Sequence, residues 1–202
     1  MPDRTNRQLR ALPTEFRAEA RDNKKYIEGY FAVFGSDYEL WAGATESVDP
    51  HAFDDTISGD VRALIDHETR LVIGRTKAGT LTLRVDSHGL WGSIEINEND
   101  SDAMNLWYRV QRGDVDQCSF GFDILEERTD WSDDGNTVHW TLMRVKLYEV
   151  SCVTFPAYED TSISARKSEF DAESNRRQTD ALVDKMKRRL HHYGTQAIDS
   201  RD

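Results

Sequence analysis

Asp116-Gln117-Cys118-Ser119-Phe120-Gly121-Phe122 lies past the midpoint of a 202-residue chain, and its alternation sets the fold. Successive side chains of a strand point to opposite faces. Cys118, Phe120 and Phe122 therefore share one side, while Gln117, Ser119 and Gly121 share the other. The aromatic side should face a core. Ser119 then projects from the opposite side, beside a glycine that leaves space in front of it. A small hydroxyl held rigidly beside open space is what a nucleophile needs. An ordinary half-buried strand serine looks the same, so partners have to be sought elsewhere in the chain.

Just before this stretch, Ala103, Leu106, Trp107 and Val110 fall at i, i+3, i+4 and i+7. They predict an amphipathic helix capped near Asn99-Asp100-Ser101 and closed by Gly113. After it, the strand reaches about Arg128, and Asp133-Asp134-Gly135-Asn136 makes a turn. A return strand runs from Thr137 to Val150, completing a long hairpin. Toward the N-terminus, strands are expected at Phe16–Ala20, Tyr26–Phe34, Val61–Ile65, Leu71–Gly74, Thr80–Val85 and Leu90–Asn97. Asp49-Pro50 reads as the start of a short helix carrying Ala52, Phe53 and Ile57, with Asp as cap and Pro at the first position.

Six to eight β-segments around one good helix predict an α+β, mainly β chain. The expected form is a closed, mostly antiparallel β-barrel with a few surrounding helices. Residues 1–14 read as a flexible arm, 15–166 as the folded domain, and 167–202 as a charged C-terminal tail. In that tail Leu182, Val183, Met186, Leu190 and Tyr193 mark one face of an amphipathic helix.

Composition narrows the chemistry. The net charge is −11, which argues against non-specific nucleic-acid binding. Residues 167–202 carry eight Lys/Arg against seven Asp/Glu, leaving 18 against 30 in the rest, so the body is acidic. Cys118 and Cys152 sit in apolar strand surroundings and read as small buried hydrophobes. No Cys/His spacing suggests a zinc site, and no cofactor motif is evident. Apolar runs fall short of a membrane helix and the N-terminus has no signal-peptide core, so a cytosolic protein with no membrane association is expected.

Three polar residues occupy places where polarity is costly or oddly displayed. His67 follows the Val61–Ile65 strand and by phase joins Ala63 and Ile65. Ser119 opens the central strand. Glu149 extends the apolar phase of Met143, Val145 and Leu147, where a carboxylate is costly unless paired. Hydroxyl, imidazole and acid are the three types a serine hydrolase combines, in whatever chain order. Each has a plain alternative: a satisfied strand-end histidine, a strand serine, and a glutamate paired with Arg144 or Lys146. Cys118 is the rival nucleophile, disfavoured because its phase puts it under Phe120 and Phe122. Asp66 is a rival acid, but its phase turns it from His67.

Five ordered segments then carry a resemblance. They are Gly29-Tyr30-Phe31-Ala32-Val33-Phe34-Gly35, Asp49-Pro50-His51-Ala52-Phe53, Leu64-Ile65-Asp66-His67, Cys118-Ser119-Phe120-Gly121-Phe122, and Leu147-Tyr148-Glu149-Val150-Ser151-Cys152-Val153-Thr154-Phe155-Pro156-Ala157-Tyr158. Together they resemble the caudovirus prohead serine proteases over about residues 16–166. The resemblance implies an assemblin-like barrel and endopeptidase cleavage of scaffold and capsid-protein segments. It places the histidine on His67, the serine on Ser119 and the acid on Glu149. Herpesvirus relatives use a second histidine as third member, which leaves His139 as the competitor to Glu149. Oxyanion donors would come from the loop after the third member, where Pro156 has no N–H, so from Ala157 or Tyr158. The usual glycine before Ala-Phe is His51 here, outside the catalytic motifs.

The implied partners are the major capsid protein and a scaffold protein or scaffold domain as substrates, and the resemblance allows a homodimer. The implied place is the prohead interior in the host cytoplasm, with self-cleavage of the tail. The rival readings are a catalytically silent capsid-assembly or scaffold-binding protein on the same barrel, and a small binding module whose acidic body takes a basic partner.

Overall fold

The computed structural model describes residues 8–13, 16–155 and 160–199. Its spine is the expected hairpin, β10 (Gln117–Trp131) against β11 (Val138–Val153). The turn between them holds because Gly135 takes a left-handed φ of +69° and Asp134 Oδ1 accepts from the Asn136 N–H at 3.0 Å.

Around this spine lies a seven-stranded sheet. β1 (Gln8–Pro13) covers the outer edge of β10, antiparallel. On its far side β11 is long enough to serve two neighbours, both parallel to it. Its first part pairs with β5 (Ala44–Val48), and its last part pairs with β6 (Arg62–Ile65). β4 (Tyr38–Trp41) extends β5, and β7 (Val72–Arg75) extends β6. The sheet therefore forks at β11.

The gap in the fork is filled by residues 50–59, where a short helix was expected. The backbone instead makes successive turns. The physical reason is competition for its polar groups: the Val145 N–H donates to Ala52 O at 3.1 Å and the Leu147 N–H to Thr56 Oγ1 at 2.8 Å. β11 takes acceptors that the segment would otherwise keep, and its backbone is satisfied where no strand lies alongside. Asp49 still caps the start, accepting from the His51 N–H at 2.8 Å.

The second sheet is antiparallel, in the order β2 (Arg17–Arg21), β3 (Lys24–Val33), β9 (Gly89–Ile96), β8 (Leu81–Val85). Asp22 and Asn23, both at positive φ, make the tight β2–β3 turn. Helix α1 (Ser101–Arg112) packs on this sheet through buried Ala103, Leu106, Trp107 and Val110, and the Trp107 indole donates to Tyr26 O. Its caps are the expected ones: Asp100 accepts from Asp102 and Ala103 N–H, and Gly113 ends it at φ +85°.

Ile27, Phe31, Leu90 and Ile94 of the second sheet share one apolar core with Ala63, Phe120, Phe122 and Val150 of the first and with Phe53 of the turn segment between its arms. Fully burying each of the larger of these side chains is worth about 1.5–3 kcal/mol. The expected closed antiparallel barrel is not what forms. β1 and β4 end one path and β2 and β8 end the other sheet, so neither closes, and two neighbours of β11 run parallel to it. Where the sheets approach, they pack rather than pair: a Cβ on Gly74 would lie 3.0 Å from Ile94 Cγ2. The architecture is mixed α/β, with two sheets and two helices.

Described residues near both ends of the chain also belong to regular elements. Gln8–Pro13 is a strand although residues 1–14 read as an arm. A single helix, α2, spans Asp160–Asp199. Glu46 on β5 has no exposed surface and ties both ends down. Arg10 of β1 donates to it through Nε and Nη2, and Arg166 of α2 donates to its Oε2 at 2.6 Å. Further along α2, Phe170 stacks on Trp131 with ring centroids 5.3 Å apart. Leu182, Val183, Met186 and Leu190 are exposed beyond it, and the side chain of Tyr193 lies outside the described residues.

Candidate active site

Strand register decides which side chains meet. Across the β10–β11 ladder Ser119 faces Ser151 and Gly121 faces Glu149. Residues opposed in an antiparallel pair project from the same face. Ser119, Gly121, Ser151 and Glu149 thus stand together on one side of the sheet. Cys118, Phe120, Val150 and Cys152 occupy the other and join the core. The phase expected for Ser119 against Cys118 is the one observed.

The space left by Gly121 is not open. A Cβ there would lie 2.2 Å from Glu149 Oε1, so the missing side chain makes room for the carboxylate itself. Glu149 is 2% exposed and makes two contacts. Oε1 lies 2.7 Å from His67 Nδ1, and Oε2 accepts from the Ser151 hydroxyl at 2.6 Å. A buried carboxylate is held at low cost only when its lone pairs are met in this way.

His67 does not continue the strand phase of Ala63 and Ile65, which would have turned it to the core side. β6 ends at Ile65, and Asp66 and His67 take left-handed φ values of 45° and 60°. Such a conformation is unusual for residues with a Cβ and needs support. The Asp66 N–H donates to Cys152 O at 3.0 Å, and Asp66 Oδ1 accepts from the Thr154 N–H at 2.7 Å. The turn carries the imidazole to Glu149. Asp66, the rival acid, is occupied in holding Thr154.

With Nδ1 donating to Glu149, the His67 tautomer leaves Nε2 as a free acceptor. Nε2 is buried and has no hydrogen-bond partner, and Ser119 Oγ is in the same condition. Among the described residues only Trp41 Nε1 and Gln117 Oε1 share that state, so two of four orphaned buried side-chain atoms are the expected base and nucleophile. Buried polar atoms are rarely left so without a functional cause. No hydrogen bond joins Ser119 Oγ to His67 in this conformation, and Ser119 has no exposed surface.

The competing residues are engaged elsewhere. The Cys118 thiol lies 2.8 Å from Tyr30 O, and burial pushes the Cys152 thiol well above its ordinary range. His139 has both ring nitrogens committed, to Thr45 Oγ1 and Ser47 Oγ at 2.8 Å each. It also sits ten residues from Glu149 along β11, on the order of 30 Å at ~3.3 Å per residue. Ala157 and Tyr158 lie outside the described residues. No group of three metal-ligating side chains occurs among the described residues. Ser151 lies within the quoted motif and takes no role there on sequence grounds; its position two residues beyond Glu149, on the same strand face, is the available signal.

The solved structure of the bacteriophage T4 capsid assembly protease, gp21, is similar over 75% of this chain and 99% of its own, at 10% identity and a TM-score of 0.44. No curated protein matches the sequence. The caudovirus prohead serine protease family matches residues 13–176, a span that holds His67, Ser119 and Glu149, and the chain belongs to that family.

Proposed function

We propose that this chain is a serine endopeptidase that cleaves scaffold and capsid-protein segments inside the phage prohead, in the host cytoplasm. Ser119 is the nucleophile, His67 the base and Glu149 the acid. The observation that carries this reading is the 2.7 Å contact of His67 Nδ1 with buried Glu149, which leaves Nε2 and Ser119 Oγ as unpartnered buried atoms. Glu149 fixes the tautomer in which Nε2 can accept a proton.

In the reaction, His67 Nε2 takes the Ser119 proton as Oγ attacks the scissile carbonyl. The imidazolium then gives that proton to the departing amine, and the C–N bond breaks to leave an ester on Ser119. Water, deprotonated by the same nitrogen, hydrolyses the ester and restores the serine. Backbone N–H groups of Ala157 and Tyr158 are assigned to the oxyanion. Catalytic hydrogen bonds are often loose before substrate binds, so Ser119 and His67 close on each other in the complex. Because Ser119 is enclosed, the chain around it moves to admit a peptide.

The test is labelling of the full chain by a fluorophosphonate, located by mass spectrometry. Wild type and Cys118→Ala should be labelled at Ser119, and Ser119→Ala should not. Labelling that survives Ser119→Ala and disappears in Cys118→Ala reverses the assignment. An unlabelled wild type, repeated at high protein concentration to allow for a homodimer, favours the silent scaffold-binding protein. The C-terminal tail is assigned as a self-cleavage substrate, and intact masses of wild type and Ser119→Ala check it. Identical termini in the two remove self-cleavage from the proposal.

A further inference from the structure

Glu149 has two oxygens, and only one faces the imidazole. A carboxylate able to rotate would present either oxygen, or neither, to His67 Nδ1. The structure shows what prevents this. Ser151 Oγ donates to Oε2 at 2.6 Å while Oε1 lies 2.7 Å from His67, so each oxygen has its own partner. Ser151 has no exposed surface, and its hydroxyl is shielded from competition by water. On the opposite side Gly121 admits the carboxylate, since a Cβ there would lie 2.2 Å from Oε1.

Register supplies the second line of support. Ser151 stands opposite Ser119 on β10 and beside Leu64 on β6. It therefore occupies the point of β11 between the strand that bears the nucleophile and the strand that leads to the base. Ser119 and Ser151 differ in one decisive respect: the Ser119 hydroxyl is unpartnered, while the Ser151 hydroxyl is spent on the acid.

We propose that Ser151 is a positioning residue of this active site, holding the Glu149 carboxylate in the rotation that presents Oε1 to His67, with Gly121 providing the seat. This inference rests on the reading of Ser119, His67 and Glu149 as the triad. Ser151 touches no reacting atom and acts only through Glu149. A charge-assisted hydrogen bond from a buried hydroxyl is among the stronger ones available for this purpose.

A fluorophosphonate provides the test on the full-length chain. Removing the outer-shell hydrogen-bond partner of a metal ligand typically costs ~10- to 100-fold, and a loss of that order is expected for the partner that orients a triad acid. Ser151→Ala should lower the limiting rate of Ser119 phosphonylation by about tenfold or more. The probe concentration at half-maximal rate should stay within about twofold, because the probe's own binding contacts are untouched. Ser151→Thr, which keeps the hydroxyl, should recover most of the rate. The deciding measurement is the double variant. If Ser151 works through the acid, Ser151→Ala combined with Glu149→Gln should react no more slowly than Glu149→Gln alone. Multiplying losses in the double variant, or an unchanged rate in Ser151→Ala, overturns the role given to Ser151. Failure of the triad reading looks different: wild type is then unlabelled, or Glu149→Gln reacts as fast as wild type.

Discussion

Gly121 is a position where one added carbon has a foreseeable effect. Its Cβ would meet the Glu149 carboxylate at 2.2 Å, well inside contact distance, on a strand that cannot move far because both its edges are paired. Gly121→Ala should therefore displace the carboxylate from His67. Overpacking of a core costs roughly 1–3 kcal/mol. The expected outcome is a folded protein, slightly less stable to urea, whose fluorophosphonate labelling falls to the level of Glu149→Gln. Wild-type labelling in Gly121→Ala would show that the acid has room elsewhere. At this scale the sequence was informative about Ser119, because alternation across Cys118 and Phe120 is a local property that the strand preserves. It was misleading about His67. Period-two reasoning requires an extended backbone, and at Asp66 and His67 the backbone is left-handed. Asp and His are among the non-glycine residues that tolerate a left-handed backbone best, but without a glycine that preference is too weak to announce the turn.

Among the elements, β1, β5 and α2 meet at one buried group, Glu46. Burial alone would raise the Glu46 carboxyl, but Arg10 and Arg166 outweigh it and hold it below the ordinary carboxylate range. A carboxylate depressed in the folded state contributes stability that is fully present above its unfolded value. That stability is lost as pH falls through the lowered folded value. Wild type should thus hold this contribution at neutral pH and lose it progressively below the ordinary glutamate range, near 4.5. Glu46→Gln removes the carboxylate partner of buried Arg10 and leaves Arg166 with Glu127, and breaking a buried pair in this way typically costs about 3–5 kcal/mol. Urea unfolding at pH 7 and at pH 3.5 should show a large deficit for the variant at the first and a smaller one at the second. A deficit that is equal at both values would detach Glu46 from the acid response. The network explains why the ends of the chain were hard to read. Residues 8–13 and 166 have no strong periodicity of their own, and what places them is an ion pair with a residue more than thirty positions away.

On the scale of the whole molecule, the α1 helix and eight of the eleven strands among the described residues were legible, because hydrophobic period reports how each segment is buried; the short strands β1, β4 and β5 were not. Pairing was not. Alternation is the same whether a neighbour runs parallel or antiparallel, so the parallel placement of β5 and β6 on β11 had no signature. Closure was equally invisible, since a buried face looks alike in a barrel wall and in two packed sheets. The forked sheet nevertheless has a consequence for how activity is lost. Ser119 arrives on one side of β11, His67 on the other, and Glu149 with Ser151 on β11 itself. The strands that bear base and nucleophile share no ladder with each other, so β11 is their common hinge-pin. Disarming should then be all-or-none: in a urea titration, fluorophosphonate labelling and tryptophan fluorescence should decay together. Labelling that vanishes while fluorescence remains native would mean that one arm of the fork can let go alone.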